Sequence, residues 1–142
     1  MRTADGQEFS AVPADVGNPH AVSFGADLEQ LSLHAAPTYD TDVFPEGVNL
    51  EYVQRVGAAH LAMRVFERGS GETRSCGTGV VAAAAVARST EVDPTGGSTG
   101  YRVDVPGGVV TVEFDAYQAY LTGPAVLVAH GEVAIPEEVF SP

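Results

Sequence analysis

Cys76 is the only cysteine in the 142-residue chain, and the residues around it are of types that do proton chemistry. The stretch reads Glu67-Arg68-Gly69-Ser70-Gly71-Glu72-Thr73-Arg74-Ser75-Cys76-Gly77-Thr78-Gly79, and Val80 to Ala87 after it is wholly apolar. Such a run predicts a helix that starts at the thiol. Free backbone N–H groups and the macrodipole at a helix N-terminus favour negative charge, so a thiolate is stabilised there. The same N–H groups can hold a carboxylate. Removing or adding a proton at a carbon next to a carboxylate needs both features side by side. Taken alone, a single Cys beside a small-residue helix reads as an inert residue packed as a small hydrophobe, and it is the flanking residues that bring the chemical reading level with it. The glycines at 69, 71, 77 and 79 suit close backbone approach to a ligand. The charged pair Glu67-Arg68 closes an apolar run, where a folded chain places a site loop.

A second constellation is Asp15-Val16-Gly17-Asn18-Pro19-His20. Asn-Pro favours a turn, which is either a surface turn carrying a solvated imidazole or a loop that presents functional groups. In the second reading His20 handles a proton or sets the pKa of a neighbour, and Asn18 hydrogen-bonds a substrate. The four histidines, His20, His34, His60 and His130, have no zinc-ligand spacing. The glycine-rich stretches fit neither a P-loop nor a dinucleotide fingerprint. No metal and no cofactor are expected.

The elements that must position these residues are mostly strands. Ala21 to Phe24 is a short apolar strand. Asp27 to Leu33 has a helix-like spacing of Leu28, Leu31 and Leu33 behind an Asp cap. Val48 to Val56 alternates through Val48, Leu50, Tyr52, Gln54 and Val56, and Leu61 to Phe66 alternates through Leu61, Met63 and Val65. Gly57-Ala58-Ala59-His60 links those two as a hairpin. The helix runs from Cys76 to about Ser89 and, apolar on all faces, must be buried. Thr90 to Gly100 is a loop. Arg102 to Val105 and Val109 to Phe114 form a hairpin, and Ala119 to Thr122 and Ala125 to Val133 close the chain as strands. The expected fold is α+β, a curved and mostly antiparallel sheet wrapped around a central apolar helix.

The length suits one domain with a sizeable core. A formal net charge of −12 argues against nucleic acid or an anionic membrane as partner. One Cys excludes an internal disulfide and fits a reducing compartment. With a polar Met1 to Ser10 and no long apolar run, the reading is a cytoplasmic protein.

Gly17-Asn18-Pro19-His20, Gly47-Val48-Asn49, the long Cys-containing motif and Thr122-Gly123-Pro124-Ala125, in this order, resemble the diaminopimelate epimerase family. The resemblance runs from about Val16 to Val133 and covers the C-terminal half of that family's enzyme, taken here as a single domain over residues 1–142 with the N-terminal domain absent. The family's enzymes are pseudo-symmetric, roughly twice this length, and each half contributes one catalytic Cys from a sheet wrapped around a helix. The resemblance implies inversion of the carbon α to a carboxylate, LL- to meso-diaminopimelate, in lysine and peptidoglycan-precursor biosynthesis. One thiolate and one thiol on opposite faces do this without a cofactor.

Carried over by motif position, Cys76 resembles the acid/base thiol. Gly77 and Thr78 would donate N–H groups to the α-carboxylate. Asn18, Asn49, Glu67 and Arg68 match substrate-contacting positions. Glu67 would also tune Cys76, and His20 the thiol of the missing half. The implied partners are a small amino-acid substrate, the N-terminal half and, failing that, a second copy of the chain. Alternatives of the same fold are a proline racemase or a phenazine-type isomerase; an alternative of another class is a non-catalytic half-domain that binds a ligand or self-associates. The isolated chain, with one thiol, is expected to be inactive.

Overall fold

The computed structural model describes residues 1–90, 100–134 and 136. Its one helix among those residues, α1 (Gly77–Ser89), follows the apolar run, with Cys76 as N-cap. Gly79, Val80, Ala82, Ala83, Ala84, Val86 and Ala87 are all buried. A helix with so little polar surface is stable only when enclosed, and what encloses it is an eight-stranded sheet.

The strands are β1 (Val12–Asp15), β2 (Pro19–Phe24), β3 (Asn49–Gly57), β4 (His60–Glu67), β5 (Gly71–Thr73), β6 (Gly100–Val105), β7 (Gly108–Phe114) and β8 (Ala119–Thr122). Their order is β1-β2-β3-β4-β6-β7-β8, with β5 paired to the end of β4. Pairs β2/β3 and β4/β6 are parallel, and the other pairings are antiparallel. Every strand except β5 packs against α1, so the sheet curls around the helix as expected. Arg55, from β3, closes the far end of α1 by donating to the Ala87 carbonyl (3.2 Å) and the Thr90 hydroxyl (2.8 Å).

Strand alternation sorts the side chains. Val22, Val53, Leu61, Met63 and Val65 face α1, while Ala21, Leu50 and Tyr52 join Leu31, Leu33 and Val48 in a second core on the outer face. The sheet centre is thus apolar on both sides.

Three expectations need correction. Asp27 to Leu33 is not a helix. Asp27 instead accepts the Glu29 N–H (3.1 Å) and the Gln30 amide (2.9 Å), and Arg64 takes the Leu28 and Leu31 carbonyls at 2.7 Å each. The guanidinium claims carbonyls that a helix would need. Ala125 to Val133 forms no strand; Val126, Leu127 and Val128 lie exposed and pair with none of the described strands. Strands β1 and β5 were not anticipated: β1 carries Pro13, tolerated because the strand is at the sheet edge, and β5 has only three residues. Most of the loop expected over Thr90–Gly100 lies outside the described residues.

Candidate functional site

The helix-facing rows of three adjacent strands turn polar at one end. They read His20-Val22 on β2, Asn49-Glu51-Val53 on β3 and Leu61-Met63-Val65-Glu67 on β4. Since β2 and β3 run parallel and β4 antiparallel to them, the starts of β2 and β3 and the end of β4 meet at the same edge of the sheet. That edge is where α1 begins. The polar ends therefore gather around Cys76.

Cys76 is 7% exposed, and its Sγ lies 3.5 Å from the Thr78 hydroxyl. The first intrahelical bond is Val80 N–H to the Cys76 carbonyl, so the N–H groups of Gly77, Thr78 and Gly79 precede the helical ladder. Gly77 and Thr78 are exposed and open toward an apolar cleft of ≈ 560 Å³ walled by Val16, Val81, Ala119 and Leu121. A second hollow of ≈ 350 Å³, among Met1, Phe9 and Tyr39 in the N-terminal loops, contains none of these groups.

The electrostatics run against the expectation drawn from the helix terminus alone. Burial pushes the Cys76 thiol above its ordinary value; the Thr78 hydroxyl and Gly79 N–H oppose this, and the charges of Glu67 and Glu51 add to it.

The three-residue loop between β1 and β2 carries Asn18 over the start of α1. The Asn18 amide donates to the Thr78 hydroxyl (3.3 Å), and its carbonyl lies 3.1 Å from His20 Nε2. His20 is wholly buried, and its Nδ1 lies 2.6 Å from Oε1 of an equally buried Glu51. Burial raises the Glu51 carboxyl above its ordinary range, while the hydrogen bond and charge of His20 act the other way.

Asn49 is 5% exposed and braces the scaffold: it donates to the Pro19 carbonyl (3.2 Å) and accepts the Arg68 backbone N–H (2.9 Å). One amide hydrogen and one carbonyl lone pair remain. Arg68 is exposed, and Nη1 donates to the Glu46 carbonyl (2.9 Å). Its stem lies across Gly47, where a Cβ would stand 2.7 Å from Cδ and where φ is +88°, so only glycine fits. Glu72, a conceivable surface partner for Arg68, is instead taken by Arg64 (2.7 Å). Glu67 accepts a short hydrogen bond from the Thr73 hydroxyl on β5.

Of the residues singled out in the sequence, Asn18, His20, Glu67, Cys76, Gly77 and Thr78 gather at the start of α1, while Asn49 braces the sheet edge beside them and the Arg68 side chain lies across Gly47. Two were missed. Thr73 gave no signal of its own. Glu51 did: it occupies the same row of β3 as Asn49, two residues on.

Gly79 records how tight the site is. A Cβ there would stand 2.7 Å from Glu51 Oε1 and 3.3 Å from the sulfur. Alanine would normally favour the helix by about 1 kcal/mol, but the buried carboxylate has nowhere to go, and overpacking costs about 1–3 kcal/mol. Gly79→Ala is therefore expected to destabilise the chain by about 1 kcal/mol net, read from the urea midpoint. A more stable variant would show that the Glu51 carboxylate is free to move.

The sequence matches the family model described as Diaminopimelate epimerase over residues 12–128. The diaminopimelate epimerase of Streptomyces coelicolor is 50% identical over 132 residues, covering 89% of this chain and 46% of the relative. That of Rhodococcus opacus is 46% identical over 136 residues, covering 92% and 46%. The chain therefore spans about half the length of the curated relatives it matches. A crystal structure of a phenazine biosynthesis protein of the PhzF family, from Enterococcus faecalis, shares the fold with a TM-score of 0.54 at 19% identity, covering 91% of this chain and 46% of that one.

Proposed function

This chain belongs to the diaminopimelate epimerase family, and from that premise we propose that it is the C-terminal half of a cofactor-independent amino-acid epimerase, contributing one of two acid/base thiols. The observation that carries the reading is the meeting of a buried thiol with the open N–H groups of Gly77 and Thr78 at the start of one helix. The substrate class is an amino acid whose α-carbon is inverted, with LL- and meso-diaminopimelate as the pair.

The chemistry follows from the groups present. An α-proton next to a carboxylate is a very weak acid, so the carbanion must be met by preorganised donors in a water-poor site. The Gly77 and Thr78 N–H groups hold the α-carboxylate in the field of α1. Arg68, with donors left over after its bond to Glu46, and the remaining valences of Asn49 and Asn18 fix the rest of the substrate. Cys76 delivers a proton to one face as a thiol, or removes one as a thiolate in the reverse direction. The opposite face needs a second thiol, and the sequence holds one cysteine only. The apolar wall of Val16, Val81, Ala119 and Leu121 fits a seat for the N-terminal half that would bring it.

The test is complementation. Mixed with the N-terminal half of the Streptomyces coelicolor relative, the chain should support α-proton exchange from diaminopimelate into deuterated water, while either half alone does not. An associated pair that gives no exchange, or Cys76-dependent inversion by this chain alone, would refute the two-half reading. The shared fold with the PhzF-family structure is not a reason to prefer a phenazine-type reaction, since at 19% identity the likeness concerns the fold alone.

A further inference from the structure

A continuous chain of hydrogen bonds leads from the buried interior to the sulfur. Glu51 Oε1 meets His20 Nδ1 at 2.6 Å; His20 Nε2 meets Asn18 Oδ1 at 3.1 Å; Asn18 Nδ2 donates to Thr78 Oγ1 at 3.3 Å; and Thr78 Oγ1 meets Cys76 Sγ at 3.5 Å. We propose that Glu51 is a positioning residue whose carboxyl group fixes the direction of this chain so that the Thr78 hydroxyl donates to the Cys76 sulfur.

The direction follows from charge. Glu51 and His20 are both completely buried, and Glu51 Oε2 has no hydrogen-bond partner. An uncompensated charge in such a place is costly, so the pair as a whole stays neutral. Two arrangements satisfy that. In one, a carboxylate accepts from Nδ1–H of an imidazolium; in the other, a carboxylic acid donates to a bare Nδ1. Nε2 carries a hydrogen in both. It must therefore donate to Asn18 Oδ1, which turns the Asn18 amide toward Thr78. With one lone pair taken by that N–H, the Thr78 hydroxyl keeps its own hydrogen free, and the sulfur is the acceptor within reach. The sulfur is thereby made an acceptor, which favours thiolate.

A glutamine at 51 removes the constraint. It is neutral without any proton shared with His20, and its amide can either accept from Nδ1–H or donate to Nδ1. In the first case Nε2 is bare, Asn18 reverses, and the Thr78 hydrogen turns away from the sulfur. The titratable groups acting on Cys76 are Glu67 from β4 and Glu51 from β3, the latter paired with His20 from β2; α1 brings no acidic residue in its first turn, and Arg74 before it is bonded to the Pro106 carbonyl. Removing the Glu51 charge alone would make thiolate easier to form. Loss of direction makes it harder. The two effects have opposite signs, which makes the proposal decidable.

The inference deepens the proposed function and rests on it for the thiol's catalytic use, but not for the hydrogen bonding, so the test omits substrate. The pH dependence of Cys76 alkylation by iodoacetamide is followed in this chain, with circular dichroism reporting the fold. Glu51→Gln, which still permits the original direction but no longer imposes it, is expected to raise the midpoint by up to roughly one pH unit, the size of one hydrogen bond to a charged acceptor. Asn18→Ala, at a half-buried loop position that tolerates truncation, should raise it comparably, and Thr78→Ala should abolish any further effect of either. An unchanged or lowered midpoint in Glu51→Gln overturns the proposal. Should that variant not fold, Asn18→Ala decides alone: a midpoint unmoved by it while Thr78→Ala moves it also overturns the proposal. Failure of α-proton exchange in the two-half mixture, with these shifts present, would instead count against the epimerase reading only.

Discussion

Inversion by the two complementary halves falls by at least about 10²–10⁴-fold when Cys76 is replaced by Ala or Ser, the range that a positioned general acid or base contributes. Serine is the sharper test. It fills nearly the same buried volume and leaves α1, the Gly77 and Thr78 N–H groups and the cleft in place, yet its hydroxyl is a far weaker acid than a thiol. Substrate binding should therefore persist while turnover is lost. The two faces of the carbon also separate. With Cys76 gone, the other half's thiol still meets its own face, so it can remove a proton and return a deuteron there. Exchange with retention should then survive better than inversion. Chiral analysis of the product against deuterium content by mass spectrometry measures both. If Cys76 only packs the site, the two fall together, and a serine variant with more than a tenth of the inversion rate would exclude an acid/base role.

Why the site was legible and parts of the scaffold were not has a physical basis. Asn18-Pro19-His20, Glu67-Arg68 and Cys76-Gly77-Thr78-Gly79 are unusual combinations because turns, close backbone approach and a helix start each demand particular residue types. Those demands show in the sequence. Glu51 hid for the opposite reason. The alternation of Val48, Leu50 and Tyr52 marks the apolar face of β3, and by the rule of half-buried strands the other row should meet solvent. The sheet is curled around a helix and covered outside by loops, so both rows are buried from Val48 to Val53. A Glu on the apparently wet row is then completely enclosed. Asp27 to Leu33 misled in a similar way: its leucines are spaced for a helix, but Arg64, 31 residues beyond Leu33, takes the carbonyls of the turn. Local pattern carries no record of such a partner.

Glu51 is also where the largest change in stability is expected. Glu51→Ala deletes one member of a buried hydrogen-bonded pair and leaves His20 enclosed without its partner, which costs about 3–5 kcal/mol. Against a total of about 5–15 kcal/mol for a domain, that brings the chain close to unfolding. Glu51→Gln keeps the volume and one hydrogen bond to Nδ1, so its cost is nearer the roughly 1 kcal/mol of a single exchanged bond. The two variants also separate by pH. Burial raises the folded-state value of Glu51 above its ordinary 4.5, so as pH climbs past that point the folded chain holds its proton while the unfolded chain releases it. Folded protein then binds more protons than unfolded, and by linkage its stability declines until the folded-state value is passed. Glutamine has no proton to hold. Urea midpoints taken from about pH 4 upward to neutrality should therefore show the wild type losing ground to Glu51→Gln. A constant difference across that range would mean that the buried carboxyl has the same proton affinity folded and unfolded, and that His20 compensates its burial completely.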